Sequence, residues 1–293
     1  MTWWAIVNPG AGGRAVTEAR VTEAIAAVGV DAEIQTSRDG ANVDELVREG
    51  LAGGYRNILA VGGDGTVNLV VNALMAGQAA GVTLGILPAG SGCDLLRTFG
   101  ISQQLERAAH HLVGTDTYTI DVGFVEGPWG RRYFANVASL GLGAAVVRQS
   151  ARFPSWFGGA RYKIGVWPAV AIFRKTPLRI VADSRDFEGT ASLVVLANAQ
   201  FFGGGMNIAP KASTVDGKLD VQVFTGPKRN AMVLQHRVNR GTHLTHEAVR
   251  RFSASDVEIS IDRAWDVEAD GEYLGMAESL VAGVIPGAVD IKI

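Results

Sequence analysis

Residues 57–74, NILAVGGDGTVNLVVNAL, change character in the middle. Asn57 to Val61 is an apolar run of strand length. It passes without a linker into Gly62-Gly-Asp-Gly65, and a helical stretch follows from Thr66 to Met75. A strand that runs through a glycine turn into a helix is one βα unit. The same grammar appears on both sides of it. Trp3 to Val7 is a strand that stops at Asn8-Pro-Gly, followed by a helix-like stretch with Val16, Ala19, Ala24, Ala27 and Val28. Asp31 to Thr36 predicts a second strand, Val43 to Leu51 a second helix, and Val82 to Leu87 a fourth strand ending at Pro-Ala-Gly-Ser-Gly92. Strands alternating with helices predict a mostly parallel sheet covered on both faces, a three-layer α/β/α domain over residues 1–117.

After Asp116 the pattern shifts to β-rich segments at residues 118–125, 132–137, 179–183, 192–197, 219–224 and 257–261. Gly-Pro, Asp-Gly and Gly-Gly-Gly signals separate them. This predicts a second domain over residues 118–280, antiparallel and β-sandwich-like. Valine-rich Val281 to Ile293 is a candidate to return to the first domain.

The 293 residues exceed the usual single-domain length, and 47% apolar against 19% charged content excludes a disordered chain. Glycine is over-represented, at 37 residues or about 13% against a usual value of about 7%. The formal charge of −2 argues against a general nucleic-acid binder. A single cysteine, Cys93, excludes an internal disulfide and fits a reducing compartment. The N-terminus has no signal-peptide pattern, and no run reaches the roughly 18 apolar residues of a membrane span. The expectation is a cytoplasmic protein.

Position gives the glycine excess its meaning. Asn8-Pro-Gly-Ala-Gly-Gly13, Gly62-Gly-Asp-Gly-Thr66 and Gly90-Ser-Gly92 each follow a strand of the first domain. In an open parallel sheet those strand ends share one edge, where ligands bind. Glycine allows close backbone approach, so several N–H groups can converge on phosphate oxygens beside helix N-termini. The standard nucleotide signatures fail. Gly10-x-Gly12 has no third glycine at 15, Gly141-x-Gly143 has Val146 in that place, and no Walker loop or nucleophile elbow is present.

Taken in order, the blocks resemble the diacylglycerol kinase catalytic fold shared by bacterial lipid kinases, sphingosine kinases and ceramide kinase. The blocks are Asn8 to Gly12, Gly62 to Asn68, Gly85-Ile-Leu-Pro-Ala-Gly-Ser-Gly-Cys-Asp94, Phe134 to Gly143, Asn198 to Pro210, Ala212 to Asp220 and Asp270-Gly-Glu272. The Gly-Gly-Asp-Gly-Thr block also occurs in NAD kinases and phosphofructokinases, whereas the full ordered set belongs to the lipid kinases. The resemblance implies an ATP-dependent enzyme that phosphorylates a lipid hydroxyl. Asn8, Pro9, Gly10, Ala11, Gly12, Thr36, Gly62, Gly63, Asp64, Gly65, Thr66, Val67, Asn68 and Ser91 match its nucleotide-contacting positions. Asp64 and Asp94 match carboxylates near the catalytic Mg²⁺. Asp216, with backbone oxygens of Ser213 and Lys218, matches a second, structural Mg²⁺ site. Asp270 and Glu272 match the segment that holds the general base, with Asp64 as the competing assignment. The rival readings are an NAD-kinase-like enzyme with a soluble substrate, and a nucleotide-binding protein without kinase activity.

Two residues depart from the family pattern. Ser91 stands for the usual Thr and keeps the hydroxyl. Cys93 stands for the usual Asn and lacks its amide donor and acceptor. A further anomaly is charge. From Gly127 through Ala182 no Asp or Glu occurs among 56 residues that carry nine Lys or Arg, leaving 18 − 29 = −11 for the rest. Residues 153–175 mix those bases with Phe153, Trp156, Phe157, Tyr162, Trp167 and Phe173, a composition suited either to a core helix with solvated bases or to peripheral contact with an anionic membrane. His243 and His246 have the spacing of a metal pair without a third ligand nearby, so a solvated turn is expected there. Lys228, Arg229, Arg237 and Arg240 are expected to coat an exposed helix.

Overall fold

The computed structural model describes residues 2–9, 17–78, 80–89, 92–150 and 173–293. It separates into two compact units, Met1–Ile120 with Gly287–Ile293, and Asp121–Pro286.

The first unit opens with β1 (Thr2–Val7), α1 (Glu18–Ala27), β2 (Asp31–Thr36) and α2 (Gly40–Ala52). It continues with β3 (Asn57–Gly62), α3 (Asp64–Ala76), β4 (Thr83–Pro88), α4 (Asp94–Thr98) and α5 (Leu105–Ala108). The strands lie in the order β4-β3-β1-β2, all parallel. The end of the chain adds a further parallel strand beside β4, with Asp290 opposite Thr83 and Ile291 opposite Leu84. Lys292 Nζ fixes that tail by donating to the Asp116 carbonyl at 2.7 Å.

Both faces of the sheet are covered, which is why its strands read as continuous apolar runs. Trp3 and Trp4 show the alternation. Trp3 packs with Val21, Ile25, Leu105 and Leu112 on the α1 and α5 side. On the opposite side the Trp4 indole donates to the Leu46 carbonyl of α2 at 2.8 Å. A Cβ at Gly50 would lie 2.6 Å from the Trp4 ring, so that glycine is what lets α2 lie against the sheet.

The second unit is antiparallel. Its elements begin with β5 (Thr117–Gly127, shared with the first unit), β6 (Gly130–Phe134), β7 (Val137–Gly141) and α6 (Leu142–Ser150). Next come β8 (Thr176–Ala182), β9 (Arg185–Ala191), β10 (Leu193–Ala197), and the short pair β11 (Phe201–Phe202) and β12 (Met206–Asn207). Then follow β13 (Leu219–Phe224), α7 (Ala231–Asn239), β14 (Val249–Ala254), β15 (Asp256–Ala269) and β16 (Glu272–Lys292), whose last residues belong to the first unit. The main order is β14-β13-β10-β7-β15-β16, with β8 also on β15. Phe134, Leu140, Ile180, Leu196, Val221, Trp265 and Val267 lie in its main core.

The β13 strand is buried on both faces, so its even-numbered polar residues need partners. Asp220 pairs with Arg251, and Gln222 Oε1 accepts from His243 at 2.9 Å. His243 is therefore a core residue stacked on Phe224, and burial lowers its pKa. The solvated turn expected there is corrected to a buried, hydrogen-bonded ring. His246 accepts the Ala248 N–H instead.

Candidate functional site

In the first unit the strand register lines up the C-terminal ends. Val7 lies opposite both Thr36 and Val61, and Gly62 opposite Pro88. Asn8, the Gly63–Thr66 turn and the Gly92–Asp94 turn therefore leave the sheet on one edge. Asn8 Nδ2 donates to Thr66 Oγ1 at 3.1 Å, tying the first turn to the second. A Cβ at Gly62 would fall 2.3 Å from the same hydroxyl, so only glycine admits Thr66 there. No side chain caps α3 at Gly63, which leaves the positive end of a 13-residue helix facing this edge. A Cβ at Gly65 would meet nothing within 4 Å.

The third turn joins the second through a carboxylate. Asp64 Oδ1 accepts the Asp94 N–H at 2.6 Å, and the buried Asp94 carboxylate pairs with Arg97 Nε at 3.3 Å. Between them, Cys93 is fully buried. Its backbone is clamped by Gln103, which accepts the Cys93 N–H at 2.8 Å and donates to its carbonyl at 3.1 Å. Burial, with added repulsion from Asp64 and Asp94, pushes the Cys93 thiol well up, so it is a neutral core group.

Not every expected residue reaches the edge in the same way. Val67 and Asn68 face inward on α3, and Asn68 receives Asn72 Nδ2 on its side-chain oxygen at 3.2 Å. The Thr36 hydroxyl donates to Glu18 at 3.0 Å. Gly10, Ala11, Gly12 and Ser91 lie outside the described residues, as does all of segment 153–175 except its last three residues.

In the second unit, Asp270 and Gly271 form the two-residue turn between β15 and β16, with Ala269 opposite Glu272. Both turn residues have positive φ, +48° and +83°, the geometry that favours Asp-Gly in a tight hairpin. The Asp270 carboxylate also anchors the β6–β7 connection. Its oxygens accept the N–H groups of Ala135 at 2.8 Å, Asn136 at 3.0 Å and Val137 at 2.9 Å. Glu272 is exposed on the strand that leaves the turn.

A residue that sequence reasoning missed sits directly beneath. Glu268 Oε1 accepts the Ser139 hydroxyl at 2.5 Å and Oε2 accepts the Gly271 N–H at 2.9 Å, with the side chain 2% exposed. Burial raises its carboxyl from the ordinary 4.5 to about 7, the two hydrogen bonds opposing the rise and Asp270 adding to it. The folded protein therefore binds more protons here than the unfolded chain between those values, and Glu268 makes stability fall as pH rises through that window. Glu268→Gln is expected to flatten the dependence, matching the wild type near pH 4.5 and exceeding it at pH 8 by roughly 3 kcal/mol. Thermal melts of both proteins from pH 4.5 to 8 check this. Curves that stay parallel would contradict it.

The 213–218 loop is the remaining cluster. Asp216 Oδ1 accepts the Lys218 N–H at 3.1 Å, and Asp121, a second residue missed from sequence, accepts the Gly217 N–H at 2.7 Å. The buried Asp121 also donates its N–H to the Thr214 carbonyl at 2.7 Å. Among the described residues no three His, Cys, Asp or Glu side chains gather as a metal cage. Mg²⁺ keeps several waters and commonly takes only one or two carboxylates plus substrate phosphates. The oxygen donors Asp64 and Asp94, on adjoining turns, fit that requirement.

Comparison with known proteins agrees with this layout. Residues 2–125 match the diacylglycerol kinase catalytic domain, and residues 136–293 match the YegS C-terminal NAD kinase β-sandwich-like domain. A diacylglycerol kinase of Mycobacterium tuberculosis is 29% identical over 267 residues, covering 90% of this chain and 85% of that protein. One from Bacillus subtilis is 26% identical over 261 residues, covering 88% and 84%. A crystal structure of a diacylglycerol kinase from Bacillus anthracis superposes with a TM-score of 0.76 at 21% identity, covering 99% of this chain and 96% of the other. With the two domain matches in sequence and spanning nearly all of its length, the chain belongs to the family of lipid kinases that joins a diacylglycerol kinase catalytic domain to a YegS C-terminal domain.

Proposed function

We propose that the protein transfers the γ-phosphoryl group of ATP to the hydroxyl of diacylglycerol or a related lipid alcohol. It does so with Mg²⁺, as a cytoplasmic enzyme that visits the inner face of the membrane through residues 153–175. The observation that carries this reading is the Asp64–Asp94 contact on the glycine-rich edge of the first unit. Phosphoryl transfer asks little covalent chemistry of a protein. It asks for positioning and for charge placed against the phosphate oxygens.

Each group then has a task. The glycine-rich stretches 8–12, 62–66 and 90–92 receive the nucleotide phosphates, with the uncapped end of α3 adding positive potential. Asp64 and Asp94 would hold Mg²⁺, which supplies positive charge against the phosphates. Asp216, with Ser213 and Lys218 backbone oxygens, would hold a second, structural ion. In the second unit Asp270 and Glu272 divide the work of the base. Asp270 spends its oxygens on three backbone N–H groups, which makes it the anchor. Glu272, exposed beside it, is the better proton acceptor. As the lipid oxygen bonds to the γ-phosphorus, its proton passes to Glu272. The bond from that phosphorus to the β–γ bridging oxygen breaks, and ADP leaves. A positioned carboxylate of this kind contributes about 10²–10⁴-fold.

An acceptor panel tests the reading. The purified protein, labelled ATP and Mg²⁺ are offered dispersed diacylglycerol, sphingosine or ceramide. Label is expected in the diacylglycerol fraction. Label only with a sphingoid acceptor would move the substrate class, and no label in any lipid would overturn the proposal.

A further inference from the structure

The α7 helix carries a surface that the kinase chemistry does not use. Between Asp220 and Glu247 the chain contains no acidic residue, and residues 221–246 hold Lys228, Arg229, Arg237 and Arg240. The structure sorts this stretch by face. Leu234 and Val238 point inward, packed with Phe224, Ala248 and Val249. On the other side Met232 is 67% exposed and Val233 50% exposed, the first and third highest values among the exposed large apolar residues described.

Helical spacing groups the remaining outward residues. Arg229, Met232, Val233, His236, Arg237 and Arg240 stand three or four apart, so they share one face. Arg229 enters from the single turn Lys228–Asn230 that leads into α7. None of Arg229, Arg237 or Arg240 pairs with a carboxylate among the described residues. Elsewhere among the described residues eight arginines pair with an acid, as at Arg20–Glu106, Arg131–Glu126 and Arg179–Asp186.

We propose that this face of α7 is a docking surface for an anionic bilayer. Two exposed apolar side chains ringed by cations match a lipid–water boundary with negative headgroups, where basic residues meet phosphate and the apolar pair enters the acyl margin. A bound nucleic acid would leave Met232 and Val233 without a role, and a protein groove would leave the arginines in need of matching acids. The inference rests on the lipid-kinase reading only for its purpose, since a substrate held in a bilayer must be reached there. Its physical basis is the charge and exposure of α7 alone.

The test reads binding without ATP. Co-sedimentation with vesicles of phosphatidylcholine, with and without 30 mol% (about the anionic content of a strongly charged leaflet) phosphatidylglycerol, is compared for the wild type, M232E/V233E and R229E/R240E. Thermal melts confirm that the variants fold. The wild type is expected to prefer anionic vesicles and to lose that preference as salt rises, and each double variant to bind at least about fivefold more weakly. On a short-chain diacylglycerol dispersed below its aggregation point, turnover of the folded variants should equal the wild type, while turnover on vesicle-borne substrate falls with binding. Variants that sediment with anionic vesicles as the wild type does would overturn the proposal. So would a wild type that binds neutral and anionic vesicles alike. A protein that bound through α7 yet phosphorylated no lipid would sustain the surface and sink the kinase reading.

Discussion

Asp270→Ala is expected to lower the thermal midpoint by on the order of 10 °C and to abolish turnover, whereas Glu272→Gln abolishes turnover and leaves the midpoint in place. The difference follows from what each carboxylate holds. Asp270 accepts three consecutive backbone N–H groups from residues 135–137. Removing it strands those donors in a partly buried connection, at about 1–3 kcal/mol for each unsatisfied group. For a domain of this size, one kcal/mol corresponds to roughly 2–4 °C. Asp270→Asn should fall between. Its oxygen still accepts two of the amides, but its NH₂ opposes the third. Glu272 anchors no backbone group in this way, so its loss should act on chemistry alone. Melting curves and steady-state turnover on the three variants separate anchor from base. An unchanged midpoint in Asp270→Ala would refute the anchoring role, and full turnover in Glu272→Gln would return the base to Asp64.

Asp64→Asn is the second large effect. Asparagine keeps an oxygen that can accept the Asp94 N–H, so the contact between the two turns survives and the midpoint should move little. What disappears is a negative charge proposed to hold Mg²⁺ against the phosphates. Losing one preorganised electrostatic contact of this sort costs about 10²–10³-fold in turnover. Turnover should therefore fall about a hundredfold or more. Raising the Mg²⁺ concentration should recover part of it, because the variant's weakness is in holding the ion. A variant with wild-type turnover would remove Asp64 from the site.

Much of this layout was legible in the sequence because local signals bounded it. The strands at Asp31–Thr36 and Leu219–Phe224 agree with expectation residue for residue, the first opened by an aspartate after glycine and valine, the second stopped by Thr-Gly-Pro. The turn at Gly62–Thr66 was readable for the same reason. Distance in sequence hid the rest. Residues 132–137 read as one strand, yet the structure breaks it between Phe134 and Val137, where three amides turn to an aspartate more than 130 residues away. Glu268 was invisible for a related reason. In β15 the even-numbered residues Asp256, Glu258 and Ser260 are exposed, so parity places Glu268 in solvent. The register shifts before Trp265, and α6 packs over that end of β15, with Gly143 against Ser139. From Trp265 to Ala269 every residue is buried, so the exposed-buried alternation of the first half ends there. His243 was misjudged by the same limit, since H-x-x-H spacing carries no record of the buried Gln222 that receives its ring.

The most direct measurement is phosphate transfer from ATP by the purified wild type and Asp64→Asn, each offered diacylglycerol in mixed micelles or NAD in solution, with products resolved by mass spectrometry. Phosphatidic acid from the wild type, at least a hundredfold less from Asp64→Asn, and no NADP from either are the expected results. NADP without phosphatidic acid, or ATP binding with neither product, would contradict the assignment of this chain as an enzyme acting on diacylglycerol.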